Sequence, residues 1–374
     1  MFETVSITER KMYQLYDLYK NDISQNVNYK SEYFNPQECD DDFMIDGLDN
    51  KKSYVYHAFS KLNMKTQVEL KLNSESTTHI IFYHKNDMEL IEKCIHRIYC
   101  LINCFGNYEN MKMYDGMTIN ILLYNAPRII TNTYKRDTSE INEIGKKSFF
   151  NCTCGYATSF NKKFNICVSR RNGCLGLLTH ELGHICELDL GIIKDGKYEH
   201  PYNRMKGWIN LVKKYFDVNK SCQIGNLNEG INNGNSTIIH SMFLALESNV
   251  DKKYLIEKYN EYYIEEYNHS FMMLKKLLYW FKYDSIGELI SKNESKYTQR
   301  SQMLEYIYCR CIYLLYFSDL MVFKVDKNVN HVDDESYVKM FYDKILTSVE
   351  IINEIMKKIH LSNNKIMTME YYKN

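Results

Sequence analysis

The chain is predicted to be α+β, with a small mixed sheet, a helix carrying a metal-ligand pattern against it, and a mostly helical C-terminal half. Three observations predict this. Between residues 78 and 169 the order reads strand, helix, strand, hairpin. The string His180-Glu181-Leu182-Gly183-His184 follows at once. Beyond about residue 237, apolar residues recur at intervals of three or four, the period of a helix. The expected division is an N-terminal accessory region over 1–75, a domain carrying the histidine string over 76–250, and a helical subdomain over 251–374.

The first 75 residues are polar and weakly periodic, with a helix expected near residues 7–20. An acidic run at Glu38-Cys39-Asp40-Asp41-Asp42 is not a calcium loop, because Met44 and Ser53 stand where oxygen ligands are required. Thr78–His84 reads as a strand, and Asn86 or Asp87 caps a helix running through Leu90, Ile91, Cys94, Ile95, Ile98 and Leu101 to Gly106. Met117–Tyr124 gives a second strand, and a loop around Pro127 leads onward. Tyr156–Phe160 and Phe164–Ser169 form a hairpin through Asn161-Lys162-Lys163. The apolar run from Gly173 to Thr179 opens the motif helix, Ile185 and Leu188 extend it, and Gly191 stops it. The strand at Asn165–Ser169 is expected to border the site and to offer its edge to an extended peptide. Near the C-terminus Lys324–Asp334 reads as a polar linker. After it, Val338, Phe341, Ile345, Val349, Ile352, Ile355 and Ile359 mark one amphipathic helix.

Composition narrows the function classes. With 374 residues and 45% hydrophobic content the chain can bury a sizeable core. Its formal net charge is zero, so no basic surplus argues for nucleic acid. Met1–Arg10 has no apolar signal core and no run of 18 apolar residues occurs, so no membrane span is expected and the location is expected to be cytoplasmic or otherwise intracellular. The twelve cysteines are then expected as reduced thiols. Cys152 with Cys154, and Cys309 with Cys311, are separated by one residue rather than the two of a zinc knuckle, and read as small core residues.

The chemistry concentrates in the histidine string. On a helix, His180 and His184 project from one face and can share a metal, while Glu181 lies beside them as a base. Zn²⁺ suits imidazole, and three protein ligands leave a fourth position for a water whose pKa falls toward neutrality. Two histidines do not close such a site. Glu187, Glu199, His200 and Glu229 are the downstream candidates for the third ligand.

Leu227-Asn228-Glu229-Gly230-Ile231 resembles the Leu-Asn-Glu-Gly segment of gluzincin peptidases, especially the peptidase-MA-like families. Glu187 and Leu190 stand where the metzincin pattern has glycine and histidine, which excludes that branch. The resemblance spans roughly residues 76–285 and includes the strand, helix, strand, hairpin order. It implies a zincin-like catalytic domain and a zinc metallopeptidase acting on a protein or peptide. His180, His184 and Glu229 would bind Zn²⁺, and Glu181 would activate the attacking water. At the position where thermolysin-like relatives support a zinc histidine with an acidic residue, this chain has Asn233, and Asn233-Gly234 replaces a frequent Glu-Tyr pair. By residue type alone, His240, Tyr262, Tyr263, Tyr267 and His269 remain as oxyanion donors. The rival readings are a catalytically inactive zincin-like binding protein and a non-peptidase zinc hydrolase.

Overall fold

The computed structural model describes residues 2–39, 43, 48, 51, 54–74, 76–106, 111–112, 114–125, 155–160, 163–186, 188, 210, 227–290, 305–320 and 334–359. Six strands form one mixed sheet: β1 (Val27–Tyr33), β2 (Met64–Lys71), β3 (Thr77–His84), β4 (Thr118–Leu122), β5 (Gly155–Phe160) and β6 (Lys163–Ser169), in the order β1-β2-β3-β4-β6-β5. The first three are antiparallel, β3, β4 and β6 are parallel, and β5 returns antiparallel along β6. The helices are α1 (Phe2–Lys20), α2 (Tyr54–Phe59), α3 (Met88–Phe105), α4 (Cys174–Ile185), α5 (Leu227–Glu247) and α6 (Leu255–Phe281). They continue as α7 (Ile286–Ile290), α8 (Arg310–Leu315), α9 (Phe317–Leu320), α10 (Asp334–Thr347) and α11 (Val349–Lys357). A π-helical turn at Glu305–Cys309 leads into α8.

Because side chains alternate across a pleated strand, the sheet sorts its residues onto two faces. Ile80 and Phe82 of β3, Ile119 and Ile121 of β4, and Ile166 and Val168 of β6 pack with the buried residues of α3, α4 and α5 in the main core. Tyr83, Leu122 and Cys167 point the other way, onto Phe34 and α2 residues Val55 and Phe59. Full burial of such a side chain is worth about 1.5–3 kcal/mol, so the main core fixes where α4 and α5 lie.

Several expectations are met closely. Asp87 is the N-cap of α3 and Gly106 its C-cap, and β3, β4, β5 and β6 fall where the pattern put them. The helix expected near residues 7–20 is α1, which begins at Phe2. Among the described cysteines none forms a disulfide, and Cys309 and Cys311 are fully buried. Among the described residues no helix is long and apolar enough to cross a membrane.

Other expectations change. β1 and β2 come from the supposed accessory region, and the boundary at residue 75 falls between β2 and β3, which pair from Met64↔His84 to Lys71↔Thr77. The sheet therefore runs across it. The strand beside the site is not an edge: β6 is paired on both sides, and β5 is outermost among the described strands. The reason is the hairpin, whose second strand is the one that joins β4. The motif helix ends at Ile185, where Cys186 leaves helical geometry and the Leu188 amide folds back onto the Gly183 carbonyl oxygen at 2.9 Å. The last amphipathic pattern is split at Ser348 into α10 and α11. The hairpin turn at Asn161-Lys162, the loop around Pro127, Asp40–Asp42, Cys152, Cys154, Gly191 and most of the Lys324–Asp334 linker lie outside the described residues.

Candidate metal centre

The turn from β6 into α4 is held before the motif begins. Arg170 (φ 86°) and Gly173 (φ 74°) both take left-handed backbone, a conformation glycine adopts without cost and arginine does not. The Arg170 amide donates to the Leu122 carbonyl oxygen at 2.6 Å and the Arg171 amide to that of Tyr124 at 2.9 Å, which holds the turn on the end of β4. Arg171 Nε reaches Asp87 Oδ1 at 2.6 Å, joining this turn to the start of α3. From there Cys174, Leu175, Leu178, Leu182 and Ile185 bury one side of α4 in the main core. His180 and Glu181 are buried as well, and His184 is partly exposed.

The partner helix α5 begins at Leu227, ten residues before the helical region expected from the sequence. Its opening residues are rich in Asn and Gly, which favour turns over helix interiors. Tertiary bonds override that preference. Asn232 Nδ2 donates to the His180 carbonyl oxygen at 2.8 Å, Asn233 Nδ2 to that of Tyr306 at 2.6 Å, and Asn235 Nδ2 to that of Leu188 at 2.8 Å. Tyr313 Oη donates to Asn235 Oδ1 at 2.6 Å. The two helices can approach because Gly183 has no Cβ: one placed there would overlap Asn232 Oδ1 and press on Ser236 Oγ. Glu229, Asn232, Asn233 and Ser236 lie on one side of α5 by helical spacing, so the contact that seats Asn232 on α4 also delivers Glu229 to the histidines. At the far end of α5, fully buried Arg97 of α3 binds Glu247 through Nε (2.6 Å) and Nη2 (2.9 Å) and meets His240 Nδ1 at 2.7 Å.

The result is a convergence of three donors. His180 Nε2 and His184 Nε2 are 3.2 Å apart, with their rings nearly perpendicular at 88°. Glu229 Oε2 stands 3.3 Å from the first and 3.5 Å from the second. Bonds of about 2.0–2.2 Å to a tetrahedral zinc would put ligand atoms about 3.3–3.6 Å apart, so the observed triangle fits three corners of such a site. Two imidazole nitrogens facing each other beside a carboxylate also need a proton or a cation between them. Burial opposes the charge on Glu229, but the field of His184 and hydrogen bonds with His180 and His184 outweigh it, holding the carboxyl well below the usual range. Among the described residues this trio forms a group of side chains with metal-ligand spacing.

Glu181 stays outside the trio. An ideal Cβ on Gly155 of β5 would lie 2.7 Å from Glu181 Oε1, so the carboxylate occupies space against the first residue of the edge strand. Tyr306, from the π-helical turn, lays its ring 5.5 Å from that of His180 and is partly exposed. The sequence reading did not single it out; no local spacing ties it to the histidines, and only the Asn233 bond to its carbonyl reveals why it is there.

Of the residues considered as oxyanion donors, His240 lies 11 residues beyond Glu229 on α5, about 16 Å along the axis, and meets Arg97. Tyr263 donates to the Leu314 carbonyl oxygen at 2.9 Å, Tyr267 packs on Phe271 at 4.7 Å between ring centres, and the Lys258 ammonium covers Tyr262 at 5.1 Å. Burial, with help from Arg310 and Lys276, pushes His269 down to about 3, which keeps its ring neutral. Asn233 ties α5 to the π-helical turn through its amide nitrogen. Glu187, Glu199 and His200 lie outside the described residues.

No protein-family model, curated protein or solved structure matches this chain. Its functional reading rests on the geometry of these side chains.

Proposed function

We propose that the chain is a zinc-dependent metallopeptidase in which His180, His184 and Glu229 hold the metal and Glu181 is the general base. The observation that carries this reading is the triangle of 3.2, 3.3 and 3.5 Å among the two Nε2 atoms and Glu229 Oε2, with the buried Glu181 following His180 on α4. A zinc ion bound by these three side chains would supply Lewis acidity toward a water and a carbonyl oxygen. The rest falls to the chain's own groups. Glu181 accepts the proton of the attacking water and hands it to the nitrogen of the departing amine, a role that needs a carboxylate within hydrogen-bond reach of both. The Asn232 bond to the His180 carbonyl holds the histidine helix against α5, keeping the third ligand in place. Beside Glu181 lies β5, the outermost strand among the described residues, along which an extended peptide could bind by strand addition.

The strand, helix, strand, hairpin, metal-helix order that resembles gluzincin peptidases agrees with β3, α3, β4, β5, β6 and α4, which supports the same reading. The test is a peptide-library cleavage assay on zinc-loaded protein beside Glu181→Gln, with zinc measured in both. The expected outcome is one zinc per chain in each, cleavage by the parent, and activity in the variant lower by about 10²–10⁴-fold. Zinc binding without cleavage by the parent supports the inactive binding protein, and hydrolysis of an ester but no peptide supports the other zinc hydrolase.

A further inference from the structure

Gly155 opens β5 opposite Val168 of β6, at the point where the outer strand passes over α4. Its missing side chain is not a packing vacancy. The position an ideal Cβ would take lies 2.7 Å from Glu181 Oε1, 3.1 Å from Glu181 Cγ and 3.1 Å from the Cys167 carbonyl oxygen. The Glu181 side chain thus fills the space that any other residue at 155 would need, with the backbone of β6 closing the opposite side. Of the two neighbours the carboxylate can turn, whereas the β6 backbone and the helix that carries Glu181 are held. The helix under Glu181 is seated by the Asn232 bond and the close approach at Gly183, and the strand is fixed by its register from Gly155↔Val168 to Phe160↔Lys163.

We infer that Gly155 is a positioning residue for Glu181: the absence of a Cβ at the start of the edge strand is what lets the carboxylate stand between that strand and α4. This rests on the reading of Glu181 as the base. A side chain at 155 would turn the carboxylate or lift β5, and a base displaced by about 1 Å costs about a hundredfold in rate while the metal ligands stay where they are.

The experiment is a four-protein set: parent, Gly155→Ala, Glu181→Ala and the double variant. For Gly155→Ala, kcat should fall about 100-fold, KM should stay within about twofold, and bound zinc should be unchanged. Thermal melting supplies a readout that needs neither metal nor substrate. Gly155→Ala should lower Tm by about 3 °C in the parent and by much less in the Glu181→Ala background, where the obstructing side chain is gone. Equal Tm losses in both backgrounds would place the conflict at Cys167 and overturn the inference, as would a kcat within threefold of the parent. If Gly155→Ala fails to fold, a folded double variant supports the inference and an unfolded one overturns it. Should the parent cleave no peptide, the peptidase reading falls, and the melting comparison still decides whether Gly155 positions Glu181.

Discussion

Glu229 on α5 is partly buried and Glu266 on α6 fully so, and the carboxyl groups of these two glutamates on consecutive helices are driven in opposite directions. Burial raises both. At Glu229, His184 and then the hydrogen bonds of the two histidines more than reverse the effect, so the group is held as a carboxylate. Glu266 is 1% exposed, and among the described residues neither of its oxygens has a hydrogen-bond partner. Arg310 offsets only part of its desolvation and Glu265 adds to it, so the carboxyl is pushed up to about 7. The difference teaches that burial alone keeps a carboxyl protonated. What keeps one ionised is a set of positive or hydrogen-bonding groups facing it at close range.

The largest test of that contrast is metal retention. Glu229→Ala should weaken zinc binding by at least about 100-fold, because two imidazoles remain and water replaces the third ligand poorly. Glu266→Ala should keep one zinc per chain, and so should Glu199→Ala and His200→Ala. Zinc measured by elemental analysis after dialysis decides it: retention by Glu229→Ala, or loss by Glu266→Ala, breaks the comparison.

Next comes stability against pH, which isolates Glu266. With its folded pKa raised from 4.5 to about 7, the native state binds more protons than the unfolded chain between those values. The stability contributed by the protonated form is therefore full below about pH 4.5 and is lost as pH rises toward about 7, by on the order of 3 kcal/mol. Urea unfolding from pH 4.5 to 7.5 should show the parent losing stability relative to Glu266→Gln across that window. A constant difference between the two would show that Glu266 ionises normally in the fold.

Smaller effects sharpen the account of how Glu229 is delivered. Gly183→Ala inserts a methyl group where Asn232 already lies and should cost about 1–3 kcal/mol in urea unfolding, with weaker zinc binding as α5 is pushed away. Asn232→Ala removes the bond to the His180 carbonyl and should cost about 1 kcal/mol. If Gly183→Ala leaves both stability and zinc affinity unchanged, the close approach of α4 and α5 does not set the ligand geometry.

Legibility in the sequence varied with how local the controlling forces are. The α3 boundaries were readable because Asp87 and Gly106 bracket an unbroken apolar period. β2 was overlooked although Thr66, Val68 and Leu70 alternate as buried positions, a period-two signal lying in a segment judged polar overall. β1 carried no such signal, since most of its residues face solvent. The helical pattern legible in the sequence starts near residue 237, whereas α5 begins at Leu227 with residues rich in Asn and Gly, which disfavour helix. Asn232, Asn233 and Asn235 there donate to the carbonyl oxygens of His180 on α4, Tyr306 in the π-helical turn and Leu188, partners that lie far away along the chain.

The sequence by itself determined the pairing of His180 with His184 and the placing of Glu181 beside them, because four residues make one turn and that spacing is a property of the helix alone. It also determined the apolar faces that build the core, through periods of two and three to four residues. Tertiary structure alone decided that β5 rather than β6 is outermost among the described strands, that Gly155 leaves room for Glu181, that Tyr306 lies on His180, and that Glu229 stands 3.3 and 3.5 Å from the two histidines. Those outcomes depend on which groups meet through space and how much water is removed between them. Neither quantity is carried by the order of residues along the chain until the helices and the sheet have packed.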